Sequence, residues 1–162
     1  MIILGIDPGT ATTGFGLISY NYPVYEVIDW GLIETKKDSS PEVRLAKIYQ
    51  EMLSIIELYK PDVLAMEMLF FATNAKTAIK VGQAQGVIML SASAFNKEVV
   101  QYAPGTIKKV ISGDGRADKI KMQKAVRKHL GSFVKSEKNK KTHFDNAADA
   151  LAIALCHIFS IK

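Results

Sequence analysis

The chain of 162 residues contains one cysteine, Cys156, so no intrachain disulfide is available to it. A lone thiol inside an apolar helical pattern fits a reducing cytoplasm. There are three histidines, and neither His143 nor His157 belongs to a HExxH spacing. Without paired Cys or His ligands, a zinc site is not expected. No apolar run reaches the ~18 residues that a membrane span needs. The N-terminus opens directly on a strand pattern, with no basic leader or small-residue cleavage site, so no membrane association is expected. No repeat, low-complexity linker or composition break divides the sequence. It reads as one domain over residues 1–162, large enough to bury roughly 70% of its unfolded surface.

Acidic residues are scarce in one segment. Residues 108–142 hold twelve of the 21 Lys and Arg but only Asp114, Asp118 and Glu137, a net charge of +9. The remaining chain is then −4, from nine basic and thirteen acidic residues. A basic segment of this density is either a solvated helix face or a surface that meets a polyanion, nucleic acid first among them.

The first twenty residues organise the rest. An apolar run, Ile2 to Ile6, ends on Asp7, turns at Pro8-Gly9 and returns as a second run around Phe15 to Ile18. This predicts a β-hairpin at the core of a sheet. Val24 to Glu34 predicts a third strand. Ser40 reads as a helix cap with Pro41 at the first helical position, and Leu45, Ile48, Met52, Ile55 and Tyr59 recur at helical spacing. Val63 to Met66 reads as a parallel strand reached by this helical crossover, with Glu67 at its end. A small-residue-rich helix is expected from Asn74 to about Phe95, a strand from Val99 to Tyr102, and basic helices over Thr106–Ile111 and Asp118–Leu130. Phe133 to Thr142 reads as a charged loop, and Phe144 to Phe159 as a final helix. The expectation is an α/β fold, a mixed five-stranded sheet with helices on both faces.

Three acids stand out against this outline. Asp7 closes a buried strand, where a carboxylate either shapes the turn or coordinates a cation. Glu67 closes another strand, and functional groups of parallel sheets gather at such ends. Asp149 lies within NAADALAIAL, where alanines demand close packing, so it needs a structural hydrogen bond or a shared cation. Asp145 and Asn146 lie one turn earlier. Oxygen ligands from two strand ends and one helix turn suit Mg²⁺ or Mn²⁺. Such a carboxylate cluster beside a basic surface suggests phosphodiester hydrolysis with a pair of metal ions. An actin-like ATPase has a phosphate hairpin similar to DPGTATTG, but it needs two lobes and a far longer chain.

ILGIDPGTATTGFG, MEMLFFATNAKTAIKVGQAQGV, YAPGTIKK and NAADALAIALCH together resemble the RuvC family of bacterial Holliday junction endonucleases. The resemblance spans nearly the whole chain in four ordered motifs. It implies an RNase H-like fold and a homodimer in which each subunit cuts one of two symmetry-related strands of a four-way DNA junction. It further implies Mg²⁺-dependent cleavage that leaves ligatable nicks, and partnership with the RuvA–RuvB branch-migration complex. Carried over by motif, the first acid is Asp7 and the second Glu67. The C-terminal Asp/His-x-x-Asp pair falls on Asn146 and Asp149. Asparagine offers a carbonyl oxygen but no charge. Engineered substitution, natural variation, or transfer of the role to Asp145 would each account for it.

Of Phe70 and Phe71, the resemblance makes one, Phe71 by preference, a wedge stacking on a base near the cut; the other reading is a buried loop anchor. The family's usual GQARG is GQAQG in this chain, which removes a phosphate or cross-subunit contact. Lys108, Lys109, Arg116, Lys119 and Lys121 match its basic DNA-contacting region. His129 and His143 read as surface residues and Cys156 as a core thiol. Two other readings stay open: a different RNase H-like nuclease, acting on RNA–DNA hybrids, and a catalytically silent junction-binding protein.

Overall fold

The structure, a computed structural model, describes residues 1–69, 75–131 and 141–161, with the backbone alone over 141–146. Five strands form one sheet in the order β3-β2-β1-β4-β5. They are β1 (Ile2–Asp7), β2 (Thr12–Asn21), β3 (Val24–Glu34), β4 (Val63–Glu67) and β5 (Glu98–Tyr102). β1, β2 and β3 make an antiparallel meander, while β4 pairs in parallel with both β1 and β5. The helices are α1 (Pro41–Tyr59), α2 (Ala75–Ala94), α3 (Pro104–Ser112), α4 (Lys119–Leu130) and α5 (Lys141–Ser160). The expected mixed five-stranded sheet with helices on both faces, an RNase H-like α/β fold, is what the chain adopts.

Successive residues of a strand point to opposite faces, and the buried residues of β1 and β4 sort accordingly. Leu4, Ile6, Leu64 and Met66 pack with Ile48, Met52, Ile55 and Ile56 of α1 and with Ala84, Ile88 and Ala92 of α2. Ile3, Val63 and Ala65 pack with Ile107 and Ile111 of α3, Met122 and Val126 of α4, and Leu151 to Ile158 of α5. The same alternation assigns Asp7 and Glu67 to the α5 face.

On that face the fit is close. Gly5 pairs with Gly16 across the β1–β2 ladder, and α5 lies over both. A Cβ on Gly5 would come within 2.1 Å of the Ala150 carbonyl oxygen, and one on Gly16 within 2.7 Å of Leu151 Cδ2. Both positions need glycine for space: helix backbone occupies the volume at Gly5, and the Leu151 side chain, with its backbone behind it, occupies that at Gly16.

Several local expectations change. The β1–β2 connection is wider than a tight turn at Pro8-Gly9, since Asp7 pairs with Gly14. Ser40 is the N-cap of α1, but its side chain makes no cap hydrogen bond. α5 begins at Lys141, so Lys141 and Thr142 are helical and not loop, and 132–140 lie outside the described residues. His129 is half-buried, not a surface residue: its Nε2 lies 3.2 Å from the Ile111 carbonyl and its ring 5.1 Å from that of Phe159. The side chain of His143 is outside the described set. Cys156 is buried as expected, and burial pushes its thiol pKa up.

Gly5→Ala is expected to destabilise the fold by about 3 kcal/mol, at the upper end of overpacking costs, because the new methyl meets backbone and not a movable side chain. Urea unfolding of the variant beside the parent measures this; equal midpoints would show that α5 can lift without cost.

Candidate active site

The strand alternation and the seating of α5 bring three acids together. Asp7 and Glu67 end adjacent parallel strands on the α5 face, and Asp149 precedes Ala150, whose carbonyl rests over Gly5. A cavity of about 230 Å³ opens here, lined by Glu67, Lys108, Lys119 and Asp149 among polar residues, with Ile107, Met122 and Ile153 as its apolar wall. Lys119 Nζ stands 3.9 Å from Asp149 Oδ2.

The electrostatics follow from this crowding. Burial pushes the Asp7 carboxyl up to about 7, with the negative charges of Asp149 and then Glu67 adding to the effect and Lys119 opposing it. Glu67 is likewise raised by burial and by Asp149, against the pull of Lys108. Asp7 and Glu67 thus sit in poorly hydrated places, and Asp149 repels both. Such a donor set suits a hard divalent cation, whose charge would relieve both the repulsion and the desolvation. Among the described residues, no three His, Cys, Asp or Glu side chains stand close enough to hold one ion as they lie. The side chain at Asn146 falls outside the described set, so the fourth expected position adds nothing to this geometry.

The predicted basic residues divide into two groups. Lys108 and Lys119 line the cavity beside the acids. Lys109, Arg116 and Lys121 are exposed on α3, α4 and the turn between them. There Lys109 donates to the Gly113 carbonyl (3.2 Å), and Lys121 pairs with Asp114 at 2.7 Å. Asp118 caps α4 by accepting from the Lys121 backbone N–H, which fixes Lys119 at the first helical position. Phe70 and Phe71 lie outside the described residues.

Sequence reasoning missed the groups that fix the acids' backbone. Thr13, fully buried, donates its hydroxyl to the Gly9 carbonyl at 2.7 Å. Thr35 donates to the Thr10 carbonyl at 2.6 Å and accepts from Arg44 Nε at 2.8 Å. These bonds tie the loop after Asp7 to β2, β3 and α1. Gln85 also differs from expectation: it is only 7% exposed and faces the core, where its Nε2 donates to the Glu67 carbonyl at 2.7 Å. A polar residue within a small-residue helix was the signal available for it.

The chain is similar to known proteins over nearly its whole length. The family model described as crossover junction endodeoxyribonuclease RuvC matches residues 3–157. The chain belongs to the RuvC family. The relative of that description from Caldicellulosiruptor saccharolyticus is 49% identical over 161 residues, covering 99% of this chain and 93% of its own. The one from Alkaliphilus oremlandii is 47% identical over 157 residues, covering 97% and 92%. Among solved structures, T. thermophilus RuvC in complex with a Holliday junction substrate superposes with a TM-score of 0.87 at 29% identity, covering 99% of this chain and 94% of that one.

A carboxyl raised in the fold is protonated there at pH values where the unfolded chain is ionised. Its stabilising contribution is therefore present below its ordinary value of 3.8 and lost as pH rises through about 7. Without divalent metal, stability should fall across that window. Asp7→Asn should flatten the fall and raise stability at pH 8 by roughly 1–3 kcal/mol. Thermal unfolding in chelator at pH 5 and pH 8 checks both, and parallel profiles for parent and variant would contradict the assignment.

Proposed function

We propose that this chain is a crossover junction endodeoxyribonuclease that resolves four-way DNA junctions by paired nicking in recombination and repair. The observation that carries the reading is the placement of Asp7, Glu67 and Asp149 on one face of the sheet, near enough to act on one another's charge, with Lys108 and Lys119 lining the cavity beside Glu67 and Asp149. The chain acts as a single nuclease domain in the cytoplasm. Among the described residues, no helix is long and apolar enough to cross a membrane.

Asp7, Glu67, Asp149 and the carbonyl oxygen of Asn146 are the groups that would hold divalent metal. Bound there, Mg²⁺, or Mn²⁺ in its place, two ions per subunit, supplies Lewis acidity toward the scissile phosphate and the attacking water. The protein's own part is electrostatic and positional. Lys119 and Lys108 face the phosphate and offset the charge that develops on its oxygens as the phosphorus becomes five-coordinate. Lys119, already beside Asp149, is the group placed to stabilise or protonate the departing 3′ oxygen. Lys109, Arg116 and Lys121 meet flanking phosphates, and Phe71 or Phe70 stacks on a base at the opened junction.

A paired cut needs two subunits. Ile79, Met89 and Leu90 of α2 are exposed, at 62%, 46% and 60%, and a Cβ on Gly86 of the same helix would meet nothing within 4 Å. An apolar helix face with small residues supports self-association of this chain through α2. The RuvA–RuvB branch-migration complex is the partner that the family relationship supports.

The purified chain should nick a synthetic four-way junction in Mg²⁺ and leave an RNA–DNA hybrid intact. Asn146→Asp should raise the cleavage rate by orders of magnitude with little change in junction affinity. Equal rates would remove position 146 from the chemistry, and hybrid cleavage alone would favour the other nuclease reading. Leu90→Glu should convert the dimer to a folded monomer in analytical ultracentrifugation. Persistence of the dimer would place the interface elsewhere.

A further inference from the structure

Glu67 is held from the side of the sheet opposite to the one its side chain faces. Its carboxylate belongs to the α5 face, whereas its backbone carbonyl accepts a hydrogen bond from Gln85 of α2, which packs on the other face. The bond satisfies a group that the sheet leaves open. The β1–β4 ladder ends at the pair Ile6–Met66. Pro8, the next residue of the chain after Asp7, has no N–H with which to extend it. On the other flank, the Met68 N–H donates to the Tyr102 carbonyl at 2.8 Å, which continues the β4–β5 pairing past Glu67. The strand end that presents Glu67 is thus clamped between β5 and the Gln85 amide.

Gln85 is itself well placed to transmit position. It is buried, and Ala84 beside it in the helix is fully enclosed. Burying an amide is costly unless it is hydrogen-bonded, so this contact is the condition on which a Gln at 85 is tolerated. One turn away along the same helix lie Met89 and Leu90, on the exposed apolar face.

We propose that Gln85 is a positioning residue that ties Glu67 to helix α2, so that the seat of α2 sets where the Glu67 carboxylate stands relative to Asp7 and Asp149. Gln85 touches neither DNA nor metal in this scheme. It acts through the backbone of Glu67, and it makes the helix that carries the self-association face part of the support of the acidic cluster. The inference rests on the metal-dependent reading above.

The test compares the parent with Gln85→Met, which keeps the length of the side chain and removes the donor, and with Gln85→Lys, which restores one. Mn²⁺ affinity is read by electron paramagnetic resonance of the free ion, and junction affinity in chelator is read separately from single-turnover cleavage in Mn²⁺. Gln85→Met should weaken Mn²⁺ binding and slow cleavage, each by about 10- to 100-fold, as expected when a group supporting a metal ligand is lost. Its junction affinity and dimerisation should match the parent, and Gln85→Lys should recover most of the Mn²⁺ affinity. Unchanged Mn²⁺ affinity in a folded Gln85→Met protein overturns the proposal. Should that variant not fold, Gln85→Ala replaces it. Loss of cooperative unfolding in both also overturns the proposal, because Gln85 would then be a requirement of the fold itself. A parent chain that binds Mn²⁺ but cuts no junction defeats the functional reading alone, and the Mn²⁺ comparison still decides this one.

Discussion

The contact between α5 and the paired glycines of β1 and β2 is the constraint on which the site depends. With no side chain at Gly5, the Ala150 carbonyl can rest directly on the strand. The helix then lies close enough for Asp149 to raise the pKa of both Asp7 and Glu67. A side chain at Gly5 would meet the Ala150 carbonyl at 2.1 Å and push outward the helix that carries Asp149. Packing density and electrostatics are here one fact described twice.

The fold also arranges the opposing charges with economy. α3 and α4 dock on the same face as α5, and the turn between them is braced by Asp114, which pairs with Lys121 and accepts from the Arg116 backbone N–H. That brace, with the Asp118 cap, sets Lys119 over the cavity. Acids come from the sheet and α5, and cations from α3 and α4. The site is the seam where these two sets of elements meet.

Much of this was legible in the residues. Short apolar runs ending on an acid mark β1 and β4, and with them the placement of Asp7 and Glu67 at strand ends. The 3.6-residue recurrence gave α1 through Ile48, Met52 and Ile55. What escaped were features fixed by tertiary neighbours. Composition does not separate Lys108 and Lys119 from Lys109 and Lys121, because only the docking of α3 and α4 decides which lysines border the cavity. His129 was misread because its burial comes from Phe159 and Ile111, far away in the chain. Position 85 looked like a lost outward contact because a single helix sequence does not say which face meets the sheet. The start of α5 was placed three residues late, since Lys141 to His143 lack the apolar recurrence that marks a helix.

The two sides of the sheet differ where a helix comes closest to a strand. The α1 and α2 side is filled by Ile48, Met52, Ile55, Ile56 and Ile88, long side chains that can repack around a neighbour of altered shape. The α5 side has long side chains too, among them Ile107, Met122, Leu151 and Leu155, but where α5 crosses Gly5 the contact is made by the Ala150 carbonyl, the Ala154 backbone and the Ala154 methyl group. Sequence drift therefore has unequal room on the two sides. The far side can exchange one aliphatic residue for another and stay filled. Where α5 crosses Gly5 there is no spare volume to exchange, so the glycine there is as tightly specified as the carboxylates on either side of it.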